Sequence, residues 1–205
     1  MLNSDIENIS LLIVISAPSG TGKTTLCDSL CSTLSTACRA VTCTTRSPRA
    51  DEADGEDYYF LDENEFLARV HGKEFLENAF VHGNHYGVLR SEVHSKLAAG
   101  KDVLLNVDVQ GAATIRERAE DDLVLRSALV TVFLCPPSLD ELEKRLRGRG
   151  DNSEEDIMRR LAIAESEISQ KDLFDYSIIS GTREADLEAM QMIIQSVRID
   201  RKSDE

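Results

Sequence analysis

Positive charge is scarce in this sequence. Its 205 residues carry 23 Lys and Arg against 37 Asp and Glu, a formal net charge of -14 at pH 7. A general nucleic-acid or anionic-membrane surface needs a basic footprint, so composition argues against both. A small anionic ligand remains open, provided clustered Arg and Lys hold it against the overall field. Long apolar runs are also missing. The run Leu11 to Ile15, after the acidic start MLNSDIENIS, is far too short to span a membrane or to form a signal core. The five cysteines, Cys27, Cys31, Cys38, Cys43 and Cys135, are odd in number and include no CxxC pair. That argues against a disulfide framework and for reduced thiols in a cytoplasmic protein. Cys27 and Cys31 stand four apart on an expected helix, where burial as small apolar side chains is expected rather than a metal site. The four histidines, His71, His82, His85 and His94, show no metal spacing and have no nucleophile to serve. No internal repeat or low-complexity tract occurs.

What is present is an alternation of strands and helices. LLIVIS, Leu11 to Ser16, is a continuous apolar run that suits a buried parallel strand. From Lys23 the period changes, and Leu26, Leu30 and Leu34, with Cys27 and Cys31, mark one helical stripe. Further strands are expected near 102–109, at 128–134 and at 175–180. LRSEVHSKLAAG reads as a helix with a glycine stop. Ser138 and Glu141 have capping-box spacing. Ser153 opens another helix, with an acidic first turn and Ile157, Leu161, Ala164 and Ile168 on one face. A last helix from about Glu184 carries Leu187, Met190, Ile194 and Val197. The pattern predicts an α/β fold with a mostly parallel sheet. Two stretches interrupt it: a small mixed insertion at about 42–90 and an Arg-rich helical excursion at about 137–168.

The strand-to-helix passage ISAPSGTGKTTL nearly matches the phosphate-loop pattern G-x-x-x-x-G-K-[ST], with Ala17 where the pattern has Gly. Ser19, Gly20, Thr21 and Gly22 let successive backbone N–H groups turn toward phosphate oxygens. The helix beginning near Lys23 aims its positive end at the same place. Lys23 supplies a cation for the β- and γ-phosphates, and the Thr24 hydroxyl suits Mg²⁺. Ala17 costs little if its φ is negative. Residues 17–24, Ala17 and Pro18 included, form the expected ATP loop.

Four further stretches follow in order: TCTTRSPRADEADGEDYYF, FLENAFVHGNHYG, LLNVDVQGA and PPSLDELEKRLRGRG. With the loop, they resemble the guanylate kinase family over about residues 11–195. The resemblance implies a P-loop core sheet in 1–41, 91–136 and 169–205, a GMP-binding subdomain in 42–90 and a lid in 137–168. It implies ATP as phosphoryl donor, Mg²⁺ as cofactor and GMP as acceptor. Arg46 and Arg49, three apart around Pro48, would converge on one phosphate dianion, with Tyr58 and Tyr86 adding hydroxyls. Glu77 would read guanine, because a carboxylate accepts from both N1–H and the N2 amine, which adenine does not offer. Thr42 would keep a hydroxyl on the base. Asp108, at the end of a strand, would touch guanine or orient Mg²⁺ waters, with Gln110 and Gly111 shaping the turn. Arg145, Arg149 and Arg160 would meet the phosphates and join Lys23 and Arg46 in spreading transition-state charge.

Three positions depart from the family pattern. Thr42 replaces a Ser, Val88 replaces a hydroxyl residue, and Asn106 replaces an acid. The last strand also runs into Ser180-Gly181-Thr182 rather than Asn-Asp-Asp, so adenine contacts there are open. One lost hydrogen bond is worth about 0.5–1.5 kcal/mol, a several-fold effect on GMP affinity. Val88 and Asn106 keep a kinase of the same fold acting on another phosphorylated acceptor as an alternative. A non-catalytic guanylate-kinase-like binding module is the second alternative. Lys23, Thr24 and the lid arginines speak against it.

Overall fold

The computed structural model describes residues 9–81, 83–148 and 153–203. In chain order its elements are β1 (Leu12–Ser16), α1 (Lys23–Thr33), β2 (Ala37–Arg39), β3 (Thr42–Thr44) and β4 (Tyr58–Phe60). Then come α2 (Glu63–His71), β5 (Phe75–Val81), β6 (Asn84–Leu89), α3 (Arg90–Ala98), β7 (Asp102–Asn106), α4 (Val109–Glu120) and α5 (Leu123–Ala128). The chain ends with β8 (Leu129–Cys135), α6 (Leu139–Arg147), α7 (Glu154–Ile168), β9 (Tyr176–Ile179) and α8 (Arg183–Ser203). A parallel sheet of order β2-β7-β1-β8-β9 forms the core. A second sheet of order β4-β3-β6-β5 lies wholly within residues 42–89.

Every residue of β1 is buried, as a strand covered on both faces requires. Side chains alternate between two hydrophobic layers. Leu12 and Val14 join Val93, Leu97, Leu105 and Ile115 on the face of α3 and α4. Ile13 and Ile15 join Leu26, Leu30, Met190 and Ile194 on the face of α1 and α8. Each large apolar side chain removed from water in this way contributes about 1.5–3 kcal/mol. A separate cluster of Cys43, Phe66 and Phe75 holds α2 against the second sheet, with the Phe rings stacked 4.4 Å apart.

Local signals set several boundaries. Asp62, Ser138 and Ser153 each accept from a backbone amide three residues on, capping α2, α6 and α7. The expected strand at 102–109 is shorter than its apolar run. It stops at Asn106, and Asp108 caps α4 by accepting from Gly111 N at 2.8 Å. Gln110 and Gly111 are therefore helical rather than turn residues. The cap wins because Asp108 satisfies an amide that a helix start would otherwise leave unpaired. No described helix is long and apolar enough to cross a membrane.

Candidate active site

The site occupies the carboxyl ends of the core strands, where open α/β sheets bind ligands. The loop after β1 begins at Ala17, fully buried. Among the described residues Lys73 is the one non-glycine with positive φ, so Ala17 takes its place without backbone strain. Gly20 and Gly22 do need left-handed backbone, at φ 95° and 117°. Gly22 is also the N-cap of α1, and no side chain caps that helix start. Its first amides thus point toward the loop's concavity, as an anion site requires. Lys23 Nζ donates to the Ala17 carbonyl, folding the side chain back across the loop. Thr24 Oγ1 accepts from Asn106 Nδ2 at 3.3 Å.

Helices α6 and α7 lie against this loop. Leu142 and Leu146 pack so near Gly20 that an added Cβ would meet Leu146 Cδ2 at 3.0 Å. Arg145 Nη1 donates to Thr21 O at 3.1 Å and to Ser180 Oγ at 3.2 Å. Arg160 Nη1 donates to Ser19 Oγ at 3.0 Å. Both arginines therefore stand on the loop itself, whereas Arg147 of the same run is spent on Glu143 and Glu154. Arg149 lies outside the described residues, as does His82. Beside the loop, a cavity of about 150 Å³ is lined by Thr21, Thr25, Arg145, Ser180 and Arg183. Asp186 frames it by accepting from Ser180 Oγ at 3.0 Å and Gly181 N at 2.7 Å.

A larger cavity of about 620 Å³ opens between the two sheets. Thr42, Tyr58, Glu77, Tyr86 and Asp108 all line it, together with Val88 and Asn106. Burial pushes the Glu77 carboxyl up to about 7. The Asp108 carboxylate adds to that shift and Arg118 opposes it. Two glycines make room for Glu77. A Cβ on Gly87 would come within 2.9 Å of the Glu77 carbonyl, and one on Gly111 within 3.3 Å of Glu77 Cγ.

Arg46 and Arg49 do not line this cavity. Their expected convergence is on a carboxylate instead. Glu52 accepts from Arg46 Nη2 through both oxygens, at 2.8 and 2.9 Å, and from the Arg49 amide at 2.8 Å. The Arg49 guanidinium is 73% exposed and only 4.0 Å from Glu52. Arg46 lies 5.3 Å from the centre of the Tyr58 ring, at the cavity's edge and close to Tyr86. Arg46, followed by the Arg49 amide, holds Glu52 below the usual carboxylate range.

Sequence reasoning missed Glu52, Asp186 and Glu167. The last faces the loop from α7, where burial raises its carboxyl, Lys23 opposes that shift and Asp108 adds to it. Its signal was helical spacing: it stands seven residues after Arg160, on the same face.

The parallel sheet, the uncapped helix start and the lysine-bearing glycine loop define a nucleotide-binding protein of the P-loop α/β class. The chain belongs to the guanylate kinase family, whose family model matches residues 10–197. A guanylate kinase of Thermotoga maritima is 41% identical over 190 residues, covering 93% of this chain and 87% of its own. One of Aromatoleum aromaticum is 42% identical over 188 residues, covering 92% and 89%. The crystal structure of guanylate kinase from Anaplasma phagocytophilum superposes with a TM-score of 0.66 at 30% identity, over 93% of this chain and 87% of that one.

Proposed function

We propose that this member of the guanylate kinase family transfers the γ-phosphoryl group of ATP to the phosphate of GMP, giving ADP and GDP. The observation that carries this reading is the cavity between the sheets. It has the Glu77 and Asp108 carboxylates on its wall, and its Asn106 side is hydrogen-bonded to the Thr24 hydroxyl of the glycine loop. Guanine offers N1–H and an N2 amine to such carboxylates. Adenine would leave them unpaired. Thr42 adds a hydroxyl to the base, and Val88 contributes only an apolar wall.

The donor's phosphates rest on the 17–24 loop, with its amides and Lys23 turned toward them. The acceptor phosphate, a dianion near neutral pH, displaces Glu52 from Arg46 and draws in Arg49, Tyr58 and Tyr86. Its oxygen is already ionised, so transfer needs no general base. It proceeds in line, with Lys23, Arg46, Arg145 and Arg160 spreading the charge of the transition state. We assign Arg149 to the same group and residues 137–168 to a lid that keeps water from wasting ATP.

Mg²⁺ fits this donor set. The Thr24 oxygen has a lone pair beyond its long contact with Asn106. Among the described residues no cluster of three metal-ligating side chains forms. An ion that keeps several waters and shares phosphate oxygens matches so sparse a site better than a caged one. Bound there, it would neutralise charge on the β- and γ-phosphates, with Thr24 as its protein ligand and Asp108 within reach through water. The five free thiols support a cytoplasmic setting.

A coupled ADP-release assay with Mg·ATP and GMP, AMP, UMP or CMP tests the proposal. We expect turnover with GMP far above the other three. Equal rates would reopen the choice of acceptor, and no turnover despite ATP binding would favour a binding role.

A further inference from the structure

Glu92 sits on α3, one residue before Val93, which is fully buried in the core beside β1. It is thus anchored to the core, yet its carboxylate reaches into the second sheet. Oε1 accepts from the Val41 amide at 2.9 Å, and Oε2 accepts from the Tyr59 hydroxyl at 3.2 Å. Lys96 Nζ, one helical turn on, stands 3.3 Å from Oε1 and balances the charge. The Glu92 side chain is only 11% exposed.

Both bonds land beside acceptor-site residues. Val41 precedes Thr42, and Tyr59 follows Tyr58. Thr42 and Tyr58 are register partners in the parallel β3–β4 pair, and both line the large cavity. Neighbouring side chains on a strand point to opposite faces, so Tyr59 turns away from the cavity. There it packs with Cys43 and Phe66. One carboxylate on a core helix therefore grips the back of the strand pair whose front bears Thr42 and Tyr58. Burial and the nearby Glu92 charge raise the Tyr59 hydroxyl above the usual phenol range, so it stays a donor at neutral pH.

From this geometry we propose that Glu92 is a positioning residue for the phosphate acceptor, setting Thr42 and Tyr58 at their places in the cavity through Val41 and Tyr59. It touches no substrate. The inference rests on GMP as acceptor, and its test separates the two claims.

Steady-state kinetics of Glu92→Ala, Glu92→Gln and Tyr59→Phe read it out, each with GMP and ATP varied in turn. Glu92→Ala loses both bonds, and KM for GMP rises about tenfold while KM for ATP stays within about twofold. In Glu92→Gln the amide oxygen accepts from Val41 N–H and the amide nitrogen donates to the Tyr59 oxygen. Its KM for GMP therefore returns to within about threefold of the parent. Tyr59→Phe loses one bond and raises KM for GMP about threefold, which carries the test if Glu92→Ala does not fold. An unchanged KM for GMP in Glu92→Ala, or in Tyr59→Phe where the first does not fold, overturns the inference. Equal rises in both KM values also overturn it, because they mark a general structural loss. Absence of GMP turnover in the unsubstituted chain overturns the proposed function instead.

Discussion

Glu77 pays for its place in the cavity with stability. Its carboxyl titrates near 7 in the folded chain against an ordinary 4.5, mainly through burial. Between those values the folded state binds more protons than the unfolded state. Stability therefore falls as pH rises through this window, and the full penalty stands above pH 7. Glu77→Gln removes the penalty. We expect it to stabilise the ligand-free protein at pH 8 by on the order of 2 kcal/mol, read by urea unfolding. The same variant loses about a hundredfold in kcat/KM for GMP, because an amide cannot accept from both guanine donors. A destabilised variant at pH 8 would contradict this account of the buried carboxyl. Lys23, whose Nζ donates to the Ala17 carbonyl, makes the opposite case, because the role proposed for it is with phosphate rather than with the fold. Lys23→Met should lower kcat by about a hundredfold or more with the melting temperature nearly unchanged. A large loss of melting temperature would show the lysine to be structural.

At the scale of elements, the β5–β6 pair sets the depth of the cavity. Gly87 faces Asn78 across that pair and lies against Phe75. A methyl there would meet Phe75 Cδ1 at 2.8 Å and the Glu77 carbonyl at 2.9 Å. Backbone cannot yield as a long side chain can. Gly87→Ala should cost about 1–3 kcal/mol in thermal or urea unfolding and raise KM for GMP more than KM for ATP. Equal effects on both substrates would mean that the two sheets respond as one body. The same scale shows what sequence made legible. Apolar runs marked β1, β8 and β9, and 3.6-residue stripes marked α1, α7 and α8, because burial on both faces or on one leaves a direct periodic trace. The loop was legible because its chemistry is local. Asp108 was visible as an acid after a strand but not as the cap of α4, because its apolar neighbours continued the strand pattern. Glu52, Glu92, Glu167 and Asp186 were hidden for a different reason. In so acidic a chain a carboxylate looks solvated until folding brings a partner to it, as it brings Val41 to Glu92 across 51 positions. Arg46 and Arg49 were found as a pair, but sequence did not show that Glu52 accepts from the Arg46 guanidinium and the Arg49 amide.

The whole molecule has two poles. At the carboxyl ends of the core strands lie the loop and both cavities. At the other end, Asp102 is 1% exposed and accepts from Arg198 Nη2 at 2.6 Å, Leu11 N at 3.0 Å and Thr36 Oγ1 at 2.8 Å. That network ties the last helix to the start of the sheet, at the end of β7 opposite to Asn106 and Asp108. Removing one partner strands a buried charge, so Asp102→Ala should cost about 3–5 kcal/mol in urea unfolding. Activity per folded molecule should stay unchanged, and a selective rise in KM for GMP would contradict the separation of the poles.

The most direct measurement is the ratio of kcat/KM for GMP to that for AMP, taken at pH 8 and again at pH 6. Titration of the acceptor phosphate affects both nucleotides alike and cancels in the ratio, whereas protonation of Glu77 does not. We expect a ratio of about a hundred or more at pH 8 that shrinks severalfold at pH 6, as the carboxylate that reads guanine gains its proton. A ratio near one, or one indifferent to pH, would contradict the claim that this cavity selects GMP through Glu77.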